Sequence, residues 1–174
     1  MIADKNYKKE WFDFMGYKPH SGQLKLHYPE KASAQFFVMV CGRRFGKTTA
    51  SAMEATYIAS QPNKKIWLVG LSYDKADLMF REVWQKMVIG RANDIERASE
   101  KERFIKFKWG TTIEGKSADN PDSLVGEGLD LLIIDEAAKV KKRIWDMYLS
   151  PTLSDRKGKA IFITTPEGYN WIYK

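Results

Sequence analysis

The chain has 174 residues, of which 44% are hydrophobic and 13% aromatic, enough to build one domain with a covered core. Its 29 basic and 22 acidic side chains give a net charge of +7, which favours a polyanionic partner. The single cysteine, Cys41, excludes an internal disulfide. No apolar run reaches membrane-spanning length, and the first residues lack the apolar core of a signal peptide. We therefore expect a soluble, intracellular protein without a membrane partner.

The amino-terminal part of the chain contains an aromatic-rich stretch and then a first strand. Aromatic residues are concentrated from Tyr7 to Tyr17, and we expect this stretch to pack against a sheet rather than form a separate module. The apolar run Phe36–Val40 predicts a strand. A helix is predicted from Lys47 to about Ser60, because Pro62 lies just beyond.

The segment Cys41–Thr49, between that strand and that helix, is typical of a phosphate-binding loop. In such a loop backbone N–H groups curl around phosphate oxygens, Lys47 reaches the outer phosphates and Thr48 holds a magnesium ion. The strict pattern has glycine where this chain has Cys41, so only the end of the motif is strict. A glycine-containing turn with a solvated lysine is the alternative. The flanking strand and helix favour the loop and predict binding of ATP or GTP.

The middle of the chain continues the alternation of strands and helices. A strand is predicted over Ile66–Leu71, and a helix from Asp74 to about Gly90. Residues 103–109 alternate polar and apolar positions and turn at Gly110 into 111–114, which predicts a hairpin added antiparallel to the sheet. The whole pattern predicts an α/β fold of the P-loop NTPase type: a mainly parallel sheet flanked by helices on both faces, plus this hairpin.

An acidic pair follows the next strand. The run Leu131–Ile134 is continuously apolar, as in a strand buried on both faces, and ends at Asp135 and Glu136. We expect this strand to lie beside the first one, with Asp135 in the outer shell of the magnesium ion opposite Thr48. Glu136 would polarise the water that attacks the γ-phosphate. An ordinary strand that ends in a solvated turn is the alternative.

The acidic pair also separates classes of nucleotide-using proteins. A signalling GTPase is expected to carry an Asn-Lys-x-Asp guanine reader, and the nearest string, residues 74–77, lacks its first residue. The sequence therefore favours an ATPase with a catalytic glutamate.

The last predicted elements are a helix around Lys142–Leu149 and a strand over Ala160–Thr164. Thr164 and Thr165 come at the tip of this strand, where they would sense the γ-phosphate and pass its state to neighbouring segments. A capped strand end, stopped by Pro166, is the alternative.

Four segments, in this order, resemble the ATPase domain of large terminase subunits, the motors that package viral DNA. They are residues 42–48, 117–126, 132–138 and 163–166, and the resemblance covers nearly the whole chain. It implies ATP and Mg²⁺ as cofactors, and double-stranded DNA, a portal protein and a small terminase subunit as partners. It also implies a homo-oligomeric ring, with a monomer left open for the isolated chain, and a location in the host cell cytoplasm.

The resemblance also assigns site residues. Arg43 or Arg44 would contact the phosphates and stabilise charge in cis, and Arg43 is our first choice. Gln23 matches the family's reader of the adenine edge, although the residues alone make it only a polar residue after a turn. The implied catalytic residues are Glu136, Arg43 and Lys47. The implied nucleotide-binding residues are Gln23, Gly42, Arg43, Arg44, Phe45, Gly46, Lys47, Thr48 and Thr49, with Thr48 and Asp135 at the metal and Thr164 and Thr165 for coupling.

Two features depart from the family. Some relatives place a trans-acting arginine in the turn before the acidic strand, where this chain has Val125. That arginine is therefore unplaced, and its candidates are Arg81, Arg91, Arg97, Arg103, Arg143 and Arg156. Full-length relatives also continue into a nuclease domain, whereas this chain stops at Lys174. We expect one ATPase domain over residues 1–174, with residues 1–35 packed on it and the nuclease domain absent.

The leading interpretation is a DNA-translocating ATPase of a viral packaging motor. A helicase-like, nucleic-acid-stimulated ATPase shares the same three elements and stays as an alternative. A second alternative is a nucleotide-dependent assembly module with little turnover.

Overall fold

One mixed β-sheet forms the centre of the computed structural model, which describes residues 5–31 and 33–173. Its strands are β1 (Phe36–Val40), β2 (Lys65–Gly70), β3 (Ile95–Ser99), β4 (Phe104–Phe107), β5 (Thr112–Ser117), β6 (Leu131–Asp135) and β7 (Lys159–Thr164). Their order across the sheet is β1-β7-β6-β2-β5-β4-β3. The four strands predicted from apolar runs are confirmed to within a residue at each end.

In this spatial order, the neighbouring strands β1, β7, β6, β2 and β5 pair parallel to one another. The last two strands, β4 and β3, pair antiparallel. The predicted hairpin is present as β4 and β5, which turn through Gly110 at φ +82°. Its second strand, however, pairs parallel to β2 and so continues the main sheet. The edge strand β3 was not predicted, because none of its side chains is fully buried and its sequence carries no apolar alternation.

The expectation that the acidic strand lies beside the first strand is wrong. β7 is inserted between β1 and β6, so that Met39 is opposite Ile163 and Ile163 is opposite Asp135. Local patterns show which segments are strands buried on both faces, but they carry no information about which of these strands become neighbours.

Helices cover both faces of the sheet, as predicted. α3 and α4 cover one face, where Met53 and Phe80 join the same core cluster as Leu68. On the other face Leu149 and Leu153 pack in a second cluster with Phe162. The helices are α1 (Lys5–Phe14), α2 (Ser21–His27), α3 (Lys47–Ala59), α4 (Tyr73–Trp84), continued by a π-helical turn (Gln85–Ile89), and α5 (Lys142–Ile144), continued by a π-helical turn (Trp145–Leu149) and a 3₁₀ turn (Ser150–Leu153).

The aromatic amino-terminal stretch packs on α3 rather than directly on the sheet. Trp11 Nε1 donates a hydrogen bond to Thr56 Oγ1 of α3 at 3.2 Å, and Trp11 and Phe12 are buried. α3 already occupies this side of the sheet, so α1 forms an outer layer. Residues 1–4 and 32 of the predicted amino-terminal segment lie outside the described residues. Among the described helices, none has the length and apolar character needed to cross a membrane.

Candidate nucleotide-binding site at the strand tips

The predicted phosphate loop, acidic pair and coupling threonines meet at one edge of the sheet. β1, β7 and β6 are parallel, with Val40 opposite Thr164 and Ile163 opposite Asp135. Their carboxyl ends therefore lie side by side. Ligands of open α/β sheets bind at this edge, where loops leave the strand tips.

The phosphate loop ends at Gly46, which begins α3 in a left-handed conformation with φ +84°. Lys47, only 8% exposed, turns back over the loop. Its Nζ donates hydrogen bonds to the carbonyl oxygens of Cys41 at 3.0 Å and Gly42 at 2.9 Å. The ammonium group is thus held inside the curl of the loop, at the position from which it would meet phosphate oxygens.

The remaining loop residues differ in exposure. Gly42, Arg43 and Arg44 are exposed, so both arginines are free to turn toward a bound anion, and Thr48 is half-buried at the start of α3. The Thr49 hydroxyl donates a hydrogen bond to Glu82 Oε1 of α4 at 3.0 Å. Because its hydroxyl is engaged with Glu82, Thr49 would contact a nucleotide through its backbone N–H.

Gln23 lies against the loop from the other side. Its Nε2 donates to the Gly46 carbonyl oxygen at 3.1 Å, and its Oε1 accepts from the His20 N–H at 3.1 Å. The amide is 6% exposed and its contacts are to protein, so reading an adenine edge would require it to exchange partners. That role stays a prediction.

Sequence reasoning missed His20. Its Nε2 lies 3.0 Å from the Phe45 carbonyl oxygen, and its ring packs edge-on against the Phe45 ring with centroids 4.8 Å apart. In the structure His20 and Gln23 form a capping box at the start of α2, with both of its hydrogen bonds present. The sequence signature of a capping box has Ser or Thr at the first position, so the local pattern did not point to His20.

Asp135 is buried at the end of β6, with 8% of its surface exposed. Its Oδ1 accepts the Glu136 N–H at 2.8 Å. Burial raises the pKa of the Asp135 carboxyl above its ordinary value and Glu136 adds to the rise, while that N–H and the charges of Lys47 and Lys75 oppose it. The Lys47 charge thus reaches Asp135, as expected when the loop and the acidic strand end at the same edge of the sheet.

Glu136 adopts a left-handed conformation, with φ 49° and ψ 43°. Such a conformation is uncommon for a residue with a side chain and occurs often at functional sites. The Thr165 hydroxyl donates to Glu136 Oε2 at 3.3 Å, and Lys139 Nζ lies 3.7 Å from the same oxygen. Lys139 also pairs with Glu167 at 3.1 Å.

Thr164 connects the loop with the acidic turn. Its carbonyl oxygen accepts the Cys41 N–H at 3.1 Å, and its Oγ1 accepts the Ala138 N–H at 3.4 Å. The side chain is buried, and its hydroxyl donates to the Thr165 carbonyl oxygen at 3.1 Å. The tip of β7 therefore contacts both parts of the site.

The donors at this edge suit magnesium rather than a metal held by protein alone. Within the described residues, no group of three or more histidine, cysteine, aspartate or glutamate side chains is arranged to hold a metal. Mg²⁺ in phosphate-transferring proteins needs only one or two carboxylates, together with phosphate oxygens and water. Asp135 supplies one such carboxylate at this edge, and the assignment of Mg²⁺ to Thr48 and Asp135 stays a prediction.

The trans arginine stays unplaced. Val125, at the position where some relatives carry it, is 67% exposed. Among the candidates, Arg103 forms an ion pair with Asp77 and lies over the Tyr73 ring, and Arg156 pairs with Asp130 at 2.9 Å. These two arginines already have partners within the chain, and so do Arg91, which pairs with Asp94 at 2.5 Å, and Arg97, which pairs with Glu102 at 2.6 Å.

Comparison with known proteins identifies the family. Residues 38–174 match the family model described as terminase large subunit, T4likevirus-type, N-terminal. The chain is 32% identical over 183 residues to the large terminase subunit of Thermus virus P23-45, across 95% of this chain and 37% of that protein. The large terminase ATPase domain of Thermus phage P74-26 has a TM-score of 0.84 and 32% identity, across 94% of this chain and 71% of that one.

A more distant structure shares the fold. It is the large terminase of another thermophilic bacteriophage in complex with ATP-γ-S, with a TM-score of 0.65 and 14% identity, across 88% of this chain and 40% of that one. The sheet and its flanking helices thus define an α/β domain of the large-terminase ATPase type. The chain belongs to the large terminase subunit family, and it spans little more than a third of the length of the curated relative that it matches.

Proposed function

We propose that the chain is the ATP-hydrolysing motor domain of a viral large terminase and drives translocation of double-stranded DNA into a procapsid. One observation carries this proposal: the tip of β7 is hydrogen-bonded to the phosphate loop through Cys41 and to the acidic turn through Ala138. A site that binds phosphates on one side and positions a carboxylate on the other suits hydrolysis. The complex of the distant thermophilic-phage terminase with ATP-γ-S is consistent with this ligand.

The loop residues would bind and neutralise the phosphates. Lys47 would exchange the carbonyl oxygens of Cys41 and Gly42 for phosphate oxygens, and exposed Arg43 would turn toward the same anion. Thr48 and Asp135 would hold Mg²⁺, which supplies charge neutralisation at the phosphates when bound. Metal binding would favour the ionised form of Asp135, which burial disfavours.

Glu136 would orient the attacking water and accept its proton. The Thr165 hydroxyl contacts the Glu136 carboxylate, and Thr164 contacts the loop through its carbonyl oxygen. A displacement of the loop on phosphate release can therefore reach the catalytic carboxylate through two adjacent residues. This connection supports a coupling role for Thr164 and Thr165.

Partners follow from the family and from charge. The net charge of +7 supports attraction to DNA phosphates of any sequence, with binding that weakens as salt increases. We propose a portal protein and a small terminase subunit as protein partners, a homo-oligomeric ring as the working assembly, and the host cytoplasm as its location.

ATP turnover by site variants tests the proposal. We expect Lys47→Ala and Glu136→Ala each to lower phosphate release by about 100-fold or more. Lys108→Ala is the matched control, because this exposed lysine lies in the turn between β4 and β5, at the opposite edge of the sheet. Undiminished turnover by either site variant would contradict the assignment. Tight ATP binding without phosphate release by the parent protein, with DNA present, would favour an assembly module.

A further inference from the structure

α2 is a seven-residue helix held between the phosphate loop and the buried part of α3. A helix this short has little stability of its own in water, so its packing fixes its place. Gln23 and His27 are one turn apart and lie on the same face. Gln23 contacts Gly46 at the start of α3, and His27 contacts Glu54 further along α3. α2 is therefore tied to α3 at both ends.

The contact at His27 belongs to a buried polar network. His27 Nδ1 lies 2.6 Å from Glu54 Oε1, and Lys8 Nζ lies 2.5 Å from the same oxygen. Lys8 also donates to the His27 carbonyl oxygen at 2.9 Å, and the Tyr17 hydroxyl lies 2.9 Å from His27 Nε2. Each of these four residues is at most 9% exposed. The network joins α1, the turn after it, α2 and α3.

Charge assigns the donors in this network. Burial acts to raise the pKa of Glu54, but the Lys8 ammonium and the His27 hydrogen bond outweigh it and hold that pKa below its ordinary value. Glu54 is then a carboxylate, which only accepts, so His27 Nδ1 carries the proton. Burial also raises the pKa of Tyr17, whose hydroxyl is left to donate to Nε2. A buried network whose donors and acceptors are all paired fixes its geometry.

α2 packs closely against the phosphate loop. A Cβ built on Gly22 would lie 2.3 Å from Phe45 Cζ, and a Cβ built on Gly46 would lie 2.6 Å from Gln23 Nε2. A shift of α2 would therefore disturb the contacts of His20 and Gln23 with the carbonyl oxygens of Phe45 and Gly46.

We propose that His27 and Glu54 are positioning residues for the nucleotide site. They fix α2, and α2 in turn fixes the conformation of the phosphate loop from behind. This inference rests on the proposed function only in taking ATP as the ligand of the loop.

Binding of a fluorescent ATP analogue, measured beside the thermal unfolding temperature, tests the proposal. His27→Leu removes the donor to Glu54 and keeps an apolar side chain in the buried position. We expect its affinity for the analogue to fall about fivefold to tenfold, the scale of one buried hydrogen bond. The KM for ATP should rise in parallel, with kcat within about twofold of the parent value. His27→Asn, whose amide nitrogen replaces Nδ1, should restore most of the affinity.

Thr56→Val is the matched control for stability. It removes the Trp11–Thr56 hydrogen bond, which also joins α1 to α3 in the buried core, without touching α2. We expect a lower unfolding temperature and unchanged affinity. Unchanged affinity in His27→Leu would overturn the proposal, and so would an equal loss of affinity in Thr56→Val.

A second variant covers the case in which His27→Leu does not fold. Lys8→Met leaves the His27 side chain in place but removes both the donor to the His27 carbonyl oxygen at the end of α2 and the countercharge of Glu54. We expect affinity to fall about threefold, and unchanged affinity would overturn the proposal. Absence of nucleotide binding by the parent protein is a different outcome, because it would contradict the proposed function itself.

Discussion

The Cys41 N–H donates a hydrogen bond to the Thr164 carbonyl oxygen at 3.1 Å. This bond joins the base of the phosphate loop to the tip of β7, the strand that lies between the loop strand and the acidic strand. Thr165, the next residue, contacts the carboxylate of Glu136. The predicted phosphate loop and the carboxylate that we propose to be catalytic are thus connected through one strand tip.

We expect Glu136→Gln to lower phosphate release by about 100-fold or more, because an amide cannot accept the proton of the attacking water. Nucleotide affinity should stay near the parent value, since the phosphate loop is intact. Thr165→Val removes only the hydroxyl that contacts Glu136, and its loss should be about tenfold or less. Phosphate release and nucleotide binding measured on the same samples check both expectations. A larger loss in Thr165→Val than in Glu136→Gln would argue against these roles.

Asp135→Asn should stabilise the protein at neutral pH in the absence of nucleotide and metal. Burial raises the pKa of Asp135, so its charged form disfavours the folded state at a pH above that raised pKa. The amide removes this cost, which is on the order of 1 kcal/mol per pKa unit. The gain should shrink as the pH falls through the raised folded pKa and vanish below 3.8, the ordinary value, where the carboxyl is protonated in both states. Thermal unfolding across pH measures it, and a lower unfolding temperature of the variant at pH 7 would be the contrary result.

Glu54→Gln should destabilise the protein at neutral pH by about 3 kcal/mol, because it leaves the Lys8 ammonium buried without a countercharge. The pKa of Glu54 is lower in the folded protein than its ordinary value of 4.5. Its contribution is therefore fully present above pH 4.5 and is lost as the pH falls through the folded value. Urea unfolding at several pH values should show the variant and the parent converging in acid. A difference in stability that does not depend on pH would contradict this explanation.

Gly70→Ala should destabilise the protein by about 2 kcal/mol or more. β2 ends at Gly70 against the start of α4, and an added Cβ would lie 2.2 Å from the Ala76 backbone nitrogen. Backbone cannot move aside as a flexible side chain can, so α4 would have to shift from the sheet. Gly42→Ala is the control for stability, since a Cβ there meets no atom within 4 Å. Urea unfolding of both variants tests the comparison, and equal stabilities would refute it.

Much of the site was predictable from local pattern. The strands β1, β6 and β7 are buried and appear as apolar runs, and the loop at Gly46 and the acids after Ile134 follow directly from those runs. The position of a residue that closely follows a strand is set by the end of that strand, and the carboxyl ends of parallel strands lie at the same edge of a sheet. This is why Lys47 and Asp135 could be assigned to one edge before the fold was known.

Three features depended on contacts between segments far apart in the chain. β7 was placed between β1 and β6 by strand pairing, and α1 was placed on α3 by packing. The contact of Gln23 with Gly46 likewise joins segments that are distant in sequence. The periodicity of apolar residues indicates which side of a helix or strand is buried, but not which other element covers it. The neighbours of each strand and the partners of buried polar groups are therefore determined only by the tertiary structure.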